Sequence, residues 1–247
     1  MSAPAIAVAD LTVAFGNFVA LEKLTFAAHY GTVYGLIGPN GAGKTTLLDA
    51  LTGKARTRRG SVRLDGAIDL SRMSEVARSL AGIGRKLQRS SVFEALSVVD
   101  NLDLALRQHR GSLLRDVLAP RAGKAAPIDR VLATIGLADR RDALAGVLSH
   151  GQKQWLEIGM VLVQEPKVLL LDEPVAGMSD QETAQTAALV TSLRGPGRSI
   201  VVVEHDMDFV ERVADTVTVL HEGRTLFEGS MAAARADARV IEVYIGR

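Results

Sequence analysis

The segment GPNGAGKTT, residues 38–46, constrains the fold of this chain more than any other feature. It matches the pattern G-x-x-x-x-G-K-[ST], and it lies between a short apolar run at 32–37 and a helical spacing of leucines at Leu47, Leu48 and Leu51. In this context the glycines let the backbone curl around a phosphate, the lysine reaches the β- and γ-phosphates, and the next hydroxyl binds Mg²⁺. The segment, called the phosphate loop below, therefore predicts a nucleoside triphosphate site.

The composition restricts the kinds of partner. The chain has 247 residues, 47% of them hydrophobic, and a formal net charge of +1. It therefore has ample core for one large domain, and it lacks the basic excess typical of nucleic-acid-binding domains. The absence of cysteine excludes disulfides and thiolate metal sites. No basic residue precedes Lys23, and no apolar run approaches the roughly 20 residues that span a bilayer. We expect a cytoplasmic chain with no nucleic acid as partner.

Short aliphatic runs alternate with helical patterns through most of the chain. The runs at 168–171 and 200–203 are continuously aliphatic, which is typical of strands buried on both faces of a parallel sheet. Between them, Ser179 and Glu182 form a capping-box pattern that starts a helix over 181–193. Further strands are predicted at 6–15, 32–37 and 62–64, and the first helix ends at Gly53. This alternation predicts an α/β fold with helices on both faces of the sheet.

The sequence pattern changes over residues 89–148, where helical patterns are no longer separated by aliphatic runs. Helical patterns recur near 98–108 and 128–135, and a basic connection containing proline and glycine joins them at 121–127. We interpret this part as a helical insertion in a single domain over 1–247. The predicted catalytic core comprises 1–88 and 157–247, and the insertion comprises 89–156.

One predicted strand ends in two adjacent carboxylates. By itself, an aliphatic strand that ends in Asp172, Glu173 and a proline is unremarkable. Downstream of a phosphate loop, a carboxylate in this position holds Mg²⁺, typically through water. Two neighbouring carboxylates in different surroundings suit a division into metal partner and general base.

A second predicted strand, at 200–203, is followed by Glu204, His205 and Asp206. Ligands of α/β proteins lie at the carboxyl ends of parallel strands. His205 therefore either reaches a γ-phosphate or pairs with one of its two acidic neighbours, and the residues alone leave both interpretations open.

The segment LSHGQKQWLEIGM, residues 148–160, predicts a helix start. Ser149 and Gln152 fit a capping box, and Trp155 and Ile158 recur on one helical face. The N-terminus of a helix also attracts anions, because its free N–H groups and its dipole favour negative charge. The residues are therefore consistent with a helix that merely begins here or with one that begins at a phosphate.

These pieces together resemble the ATP-binding subunits of ABC transporters. The phosphate loop, LSHGQ, LLLDEP and VVVEHD occur in that family's order, and the resemblance covers essentially the whole chain. It implies an α/β P-loop ATPase core with a mainly parallel sheet, an N-terminal antiparallel β part and an inserted α-helical subdomain. It implies ATP hydrolysis coupled to transport, with ATP and Mg²⁺ as cofactors. The implied partners are transmembrane permease subunits, a second ATPase subunit and, indirectly, a solute-binding protein, on the inner face of the cell membrane.

The resemblance also assigns chemical roles. Glu173 matches the catalytic base, His205 the switch histidine, and Gln88 the glutamine that senses Mg²⁺ and the attacking water. The implied metal-binding residues are Thr45, Gln88 and Asp172.

For the nucleotide, the resemblance implies that Phe15 stacks on adenine, although nearby Phe18 could serve instead. The implied contacts with the phosphates come from Gly38, Pro39, Asn40, Gly41, Ala42, Gly43, Lys44, Thr45 and Thr46.

In this family, the helix that starts at LSGGQ faces the γ-phosphate bound by the other protomer. Ser149, Gly151 and Gln152 would thus cap their own helix and present it to a neighbour's ATP. The sequence departs from the family pattern at His150, where a second glycine is usual. Asp180 matches the loop that crosses between the two ATP sites.

A finer resemblance concerns the transported solute. Four segments, LSHGQKQWLEIGM, RKLQRSSVFE, DEPVAGMSDQET and RVIEVYIGR, resemble the ATP-binding subunit of urea importers, a branch of the branched-chain amino acid uptake family. We therefore expect a bacterial importer for urea, with branched-chain amino acids or short amides as the alternative.

Two other classes of protein share some of these motifs. A soluble ABC-type ATPase that acts on DNA or ribosomes typically has long coiled coils or two cassettes, and a small P-loop kinase or GTPase has no use for LSHGQ. In the leading interpretation, Val92 and Phe93 help to form a groove for a permease helix. Ordinary core packing is the alternative for these two residues.

Overall fold

A computed structural model describes residues 3–87, 91–109 and 125–245. Within these ranges the strands are β1 Ile6–Phe15, β2 Phe18–Ala28, β3 Val33–Ile37, β4 Arg59–Leu64, β5 Ile68–Asp69, β6 Ile83–Lys86, β7 Val168–Asp172, β8 Ser199–Val203, β9 Thr216–His221 and β10 Arg224–Gly229. The helices are α1 Lys44–Thr52, α2 Glu75–Ala81, α3 Val98–His109, α4 Ala125–Thr134, α5 His150–Leu162, α6 Asp180–Ser192, α7 Met207–Val213, α8 Met231–Ala236 and α9 Ala238–Ile245. None of these helices is both long and apolar enough to cross a membrane.

The larger sheet has the order β10-β9-β3-β8-β7-β6, and its strands are parallel except for the β10 edge. Every residue of β3, β7 and β8 is buried, as the continuous aliphatic runs predict. Val203 is the register partner of both Leu36 on β3 and Asp172 on β7. The carboxyl ends of these three strands are therefore level with one another.

The smaller sheet is antiparallel, with the order β2-β1-β4-β5. Strand β1 covers the range predicted from its alternation, and a two-residue turn at Gly16 joins it to β2. The apolar face of the smaller sheet packs, together with α1, against one side of the larger sheet. The buried cluster between them includes Val13, Phe26, Leu47 and Leu170. The expected fold class, a mainly parallel core with an N-terminal antiparallel part, is confirmed.

The helical part lies against the opposite side of the larger sheet. Leu102 on α3, Leu132 on α4 and Ile158 on α5 belong to the same buried cluster as Leu171 and Val202 on β7 and β8. The inserted helices therefore share a continuous hydrophobic core with the sheet. Helix α5 runs from His150 to Leu162, so the boundary predicted between 156 and 157 falls inside it.

A buried ion pair joins the sheet to α5. Lys86 Nζ lies 3.7 Å from Glu157 Oε2, and the two side chains are only 1% and 2% exposed. Burial lowers the pKa of Lys86, and the charge of Glu157 opposes that change. Glu157 Oε1 accepts the backbone N–H of Ser91 at 2.9 Å. One carboxylate thus fixes both the end of β6 and the chain at residue 91.

Removal of one partner from this pair should destabilise the fold more than removal of both charges. Glu157→Gln keeps an acceptor for the Ser91 N–H but leaves Lys86 without its nearest countercharge, so we expect a loss of about 3 kcal/mol in the free energy of unfolding. Lys86→Met/Glu157→Gln should recover most of that loss. Urea denaturation measures the free energy of unfolding of the single and the double variant. The Glu165→Gln variant, at an exposed position, is the control and should have little effect. A double variant less stable than Glu157→Gln would contradict this account.

Candidate functional site

The phosphate loop connects the buried strand β3 to α1. Its glycines, Gly38, Gly41 and Gly43, have φ angles of 148°, 81° and 103°, a region that residues with a side chain rarely adopt. At Gly38 a side chain is also excluded by space, since a Cβ atom there would lie 2.3 Å from the carbonyl oxygen of Leu220. The backbone curl that the sequence predicts is thus built into this loop.

Lys44 is the first residue of α1 and folds back across the loop. Its Nζ donates to the carbonyl oxygens of Gly38 at 2.6 Å and Pro39 at 3.0 Å. Burial lowers the pKa of Lys44, while the charges of Glu173 and Asp172 raise it. The first N–H groups of a helix have no intrahelical acceptor. The turn at Lys44–Thr46 therefore offers both a cation and N–H donors to an anion.

Asp172 ends β7 and is almost fully buried, with 3% exposure. Arg85 on β6 donates to its Oδ2 at 2.7 Å and to Asp49 Oδ1 on α1 at 2.5 Å. This arginine ties the strand that ends in the carboxylates to the helix that follows the phosphate loop. The sequence analysis missed Arg85, because a cation within a buried strand is recognised only once its two carboxylate partners are in place.

Glu173 differs from its neighbour in both exposure and backbone. It is half-buried and has a φ of 48°, an uncommon left-handed conformation for a residue with a side chain. Its N–H donates to the carbonyl of Val203 at 2.9 Å, which holds this conformation against β8. The two adjacent carboxylates thus have different surroundings, because Asp172 is buried and paired with Arg85 whereas Glu173 is half-buried.

At the end of β8, Glu204 is fully buried and His205 is exposed. The carboxylate of Glu204 accepts backbone N–H groups from Val175 and His205, both at 3.1 Å, and burial raises its pKa. The ring of His205 is 71% exposed, with Nδ1 3.6 Å from Glu204 Oε2. Asp206 instead caps α7 by accepting from Asp208 and Phe209. Of the two acidic neighbours, Glu204 is the one beside the His205 ring, and the exposed ring also suits contact with a phosphate.

The two aromatic candidates for adenine face each other across the β1–β2 turn. Phe15 and Phe18 are register partners and are 55% and 67% exposed. Both rings are therefore exposed enough to stack on adenine, and the structure does not favour one over the other. Gln88 lies outside the described residues.

Helix α5 begins as predicted. Ser149 is the N-cap, its Oγ accepts the Gln152 N–H at 3.2 Å, and the Gln152 side chain accepts the Ser149 N–H at 3.0 Å. His150, the departure from the family pattern, contacts the loop after β7, with Nε2 3.0 Å from the Ala176 carbonyl. Asp180, the predicted interface residue, is the exposed first residue of the neighbouring helix α6. The start of α5 thus packs on the segment that leads from Asp172 and Glu173 to α6.

Comparison with known proteins decides the family. A family model described as ABC transporter matches residues 21–176, which include the phosphate loop, LSHGQ and the strand that ends in Asp172. The chain belongs to the ABC transporter family.

Several relatives match this ABC ATPase over its full length. It is 32% identical to the high-affinity branched-chain amino acid transport ATP-binding proteins BraF of Pseudomonas aeruginosa and LivG of Escherichia coli, over 100% of this chain and 99% of each relative. It is 37% identical to the ribose import ATP-binding protein RbsA of Chromobacterium violaceum, over 95% of this chain and 45% of that protein. A solved ATP-binding cassette of an ABC transporter in its ADP conformation superposes with a TM-score of 0.88 at 26% identity, with full coverage of both chains.

These comparisons confirm the ABC ATPase fold, nucleotide binding, and ATP hydrolysis coupled to transport. They do not test urea as the solute. The full-length relatives are named for branched-chain amino acid transport, and they therefore favour the alternative solute of the sequence analysis over its first expectation.

We predict separate effects on binding and on hydrolysis for two variants of the site. Glu173→Gln should bind ATP normally but hydrolyse it about 10² to 10⁴-fold more slowly, the usual contribution of a positioned base. Lys44→Ala should weaken ATP binding itself, because it removes a cation that contacts the phosphates before the reaction. Equilibrium binding of a fluorescent ATP analogue and steady-state phosphate release measure the two effects. Hydrolysis near the native rate in Glu173→Gln would remove Glu173 from the role of base.

Proposed function

We propose that this chain is the ATP-hydrolysing motor of a bacterial importer and that its nucleotide reacts at a site shared with a second ATPase subunit. The observation that carries the proposal is the position of the α5 start. It is exposed at Ser149 and rests on the loop that follows Glu173, rather than being buried in its own core. An exposed, capped helix N-terminus in this place is suited to receive a phosphate from another chain.

The reaction follows from the groups at the strand ends. Lys44 and the N–H groups of the phosphate loop bind the phosphates, and Glu173 accepts a proton from the attacking water. The water oxygen bonds to the γ-phosphorus, the bond to the β-γ bridging oxygen breaks, and ADP and phosphate leave. His205 contributes a contact to the γ-phosphate, with its backbone held by the buried Glu204.

The residues present also fit Mg²⁺. Thr45 supplies a hydroxyl and Asp172 a buried carboxylate, hard oxygen groups of the kind that Mg²⁺ prefers, and Arg85 holds that carboxylate in place. When bound, the ion would neutralise charge on the β- and γ-phosphates. Gln88, the third predicted ligand, lies outside the described residues.

The partners follow from the same proposal. The start of α5 would face the ATP of a second ATPase subunit through Ser149, His150, Gly151 and Gln152. Asp180 would lie between the two ATP sites. Transmembrane permease subunits would hold the pair on the inner face of the membrane, with a solute-binding protein acting through them.

Two solutes are candidates, each favoured by a different observation. The names of the full-length relatives support a branched-chain amino acid. The resemblance of four segments, including LSHGQKQWLEIGM, to urea importers supports urea or a short amide. The chemistry of the solute is not encoded in this subunit, because the ATPase does not contact it.

Uptake by the assembled transporter should distinguish the two solutes. The complex with its permeases and solute-binding protein should accumulate either labelled leucine or labelled urea in vesicles, and only in the presence of ATP. Glu173→Gln in the same complex is the matched control and should abolish that uptake. ATP-dependent uptake of neither solute would show that the solute class is wrong.

The predicted permease groove involves residues at the start of the helical part. Val92 is partly buried against the core, whereas Phe93 is 48% exposed. The backbone of Phe93 is held on both sides by the buried Asn101, at 2.8 Å from its N–H and 3.1 Å from its carbonyl. The exposure of Phe93 favours the groove over core packing for this residue, whereas Val92 also contributes to the core. An apolar side chain on a fixed backbone suits contact with a permease helix.

Phe93→Ala should uncouple transport from hydrolysis without unfolding the subunit. Because the ring is half exposed, we expect the melting temperature to fall by no more than about 2 °C. Uptake per ATP hydrolysed by the complex should fall severalfold, because an apolar contact is lost. Leu80→Ala, which shortens another exposed apolar side chain on α2, is the control and should leave coupling intact. Normal coupling in Phe93→Ala would remove this residue from the groove.

A further inference from the structure

One carboxylate, that of Glu182 on α6, joins the starts of two helices. Its Oε2 accepts the backbone N–H and the hydroxyl of Ser179, the N-cap of α6, at 3.1 and 2.9 Å. Its Oε1 accepts the hydroxyl of Ser149, the N-cap of α5, at 3.3 Å. The capping box predicted within α6 is present, and the same side chain also reaches a helix that begins more than thirty residues earlier in the chain.

The position of this carboxylate is closely defined. Hydrogen bonds from the backbone and hydroxyl of Ser179, from the Ser149 hydroxyl and from the Gly151 backbone hold the pKa of Glu182 below its usual range. A Cβ atom at Gly151 would lie 2.4 Å from Glu182 Oε1, so the fourth residue of LSHGQ must lack a side chain if the contact is to form. The start of α5 therefore already holds an anion, supplied by its own chain.

The groups that hold Glu182 are those that a partner's phosphate would need. The Ser149 hydroxyl has one proton, which it gives to Glu182, while its oxygen accepts the Gln152 N–H at 3.2 Å. It cannot donate that proton to a γ-phosphate at the same time. A phosphate at this helix start would also meet the negative charge of Glu182, and like charges in an interface oppose association.

We propose that Glu182 competes with the partner chain's ATP for the Ser149 hydroxyl, and thereby sets the ATP concentration at which the two subunits close. The inference rests on the proposed function, in which α5 faces a partner's nucleotide. Before closure, Glu182 accepts the hydrogen bond from the Ser149 hydroxyl at the exposed start of α5. On closure, the phosphate takes the Ser149 hydroxyl, and Glu182 keeps its bonds to Ser179.

A neutral substitution separates this role from helix capping. In a capping box, glutamine serves at the third helical position as well as glutamate. Glu182→Gln therefore keeps the cap of α6 and removes only the negative charge beside Ser149. Ser179→Ala does the reverse, because it weakens the cap and leaves the charge.

The test measures hydrolysis by the assembled transporter as a function of ATP concentration. Glu182→Gln should lower the half-saturating ATP concentration about fivefold, the upper end of the range for an exposed charge pair. ATP binding by the isolated chain should stay unchanged, because Glu182 acts on the partner's nucleotide. Glu228→Gln, an exposed carboxylate on β10, controls for the change in net charge. Ser179→Ala should not reproduce the shift.

Three results would overturn the inference. If half-saturation is unchanged or raised in Glu182→Gln while Ser149→Arg still abolishes hydrolysis, the two-chain site stands and Glu182 does not compete for it. If Ser179→Ala produces the same shift, the effect comes from the helix cap. If Ser149→Arg leaves hydrolysis intact, the proposed two-chain function itself fails, and with it the basis of the inference.

Discussion

The order of the parallel strands is the constraint on which the site depends. Because β3, β8 and β7 are adjacent and in level register, their carboxyl ends place three different loops side by side. The phosphate loop follows β3, the exposed His205 follows β8, and Glu173 follows β7. A slip of one residue in one of these strands would exchange the side chains of its two buried faces and move its terminal group along the sheet edge. The packing on both faces thus fixes the geometry of the strand ends.

Buried charges link this sheet edge to the rest of the molecule. Lys86 on β6 is buried and the Arg85 side chain beside it is only 7% exposed, and each has a carboxylate partner on another element. Arg85 joins the end of β7 to α1 through Asp172 and Asp49, and Lys86 joins β6 to α5 through Glu157. The two cations therefore connect the helix after the phosphate loop, the end of β7 and the helix that begins after Ser149. If α5 moved relative to the sheet, the ion pair between Lys86 and Glu157 would either break or pull β6 along. The pair is therefore a physical link between α5 and the sheet.

Much of this arrangement could be predicted from the sequence where local pattern and global packing agree. The strands at 6–15, 168–171 and 200–203, and the capping boxes at Ser149 and Ser179, are where the pattern places them. Strand β6 was not predicted, because its four residues include Arg85 and the buried Lys86 rather than a run of aliphatic residues. The bridge from Glu182 to α5 was missed for a different reason. A capping box explains Glu182 locally, and its second partner is distant in sequence. Where a residue serves the site as well as the fold, local rules describe only half of its contacts.

If Ser149 serves a partner's nucleotide, a transporter left with one active ATP site should depend on Ser149 of this chain and not on its Lys44. In a transporter with two different ATPase subunits, the signature of the sibling subunit is disabled by mutation, so that only the site built from this chain's α5 and the sibling's phosphate loop remains active. Hydrolysis by that complex is then measured with Ser149→Arg or with Lys44→Ala in this chain. The account predicts that Ser149→Arg abolishes the remaining activity and that Lys44→Ala changes it little. Loss of activity with Lys44→Ala as well as with Ser149→Arg would show that α5 acts on its own chain's nucleotide, and would contradict a site shared by two chains.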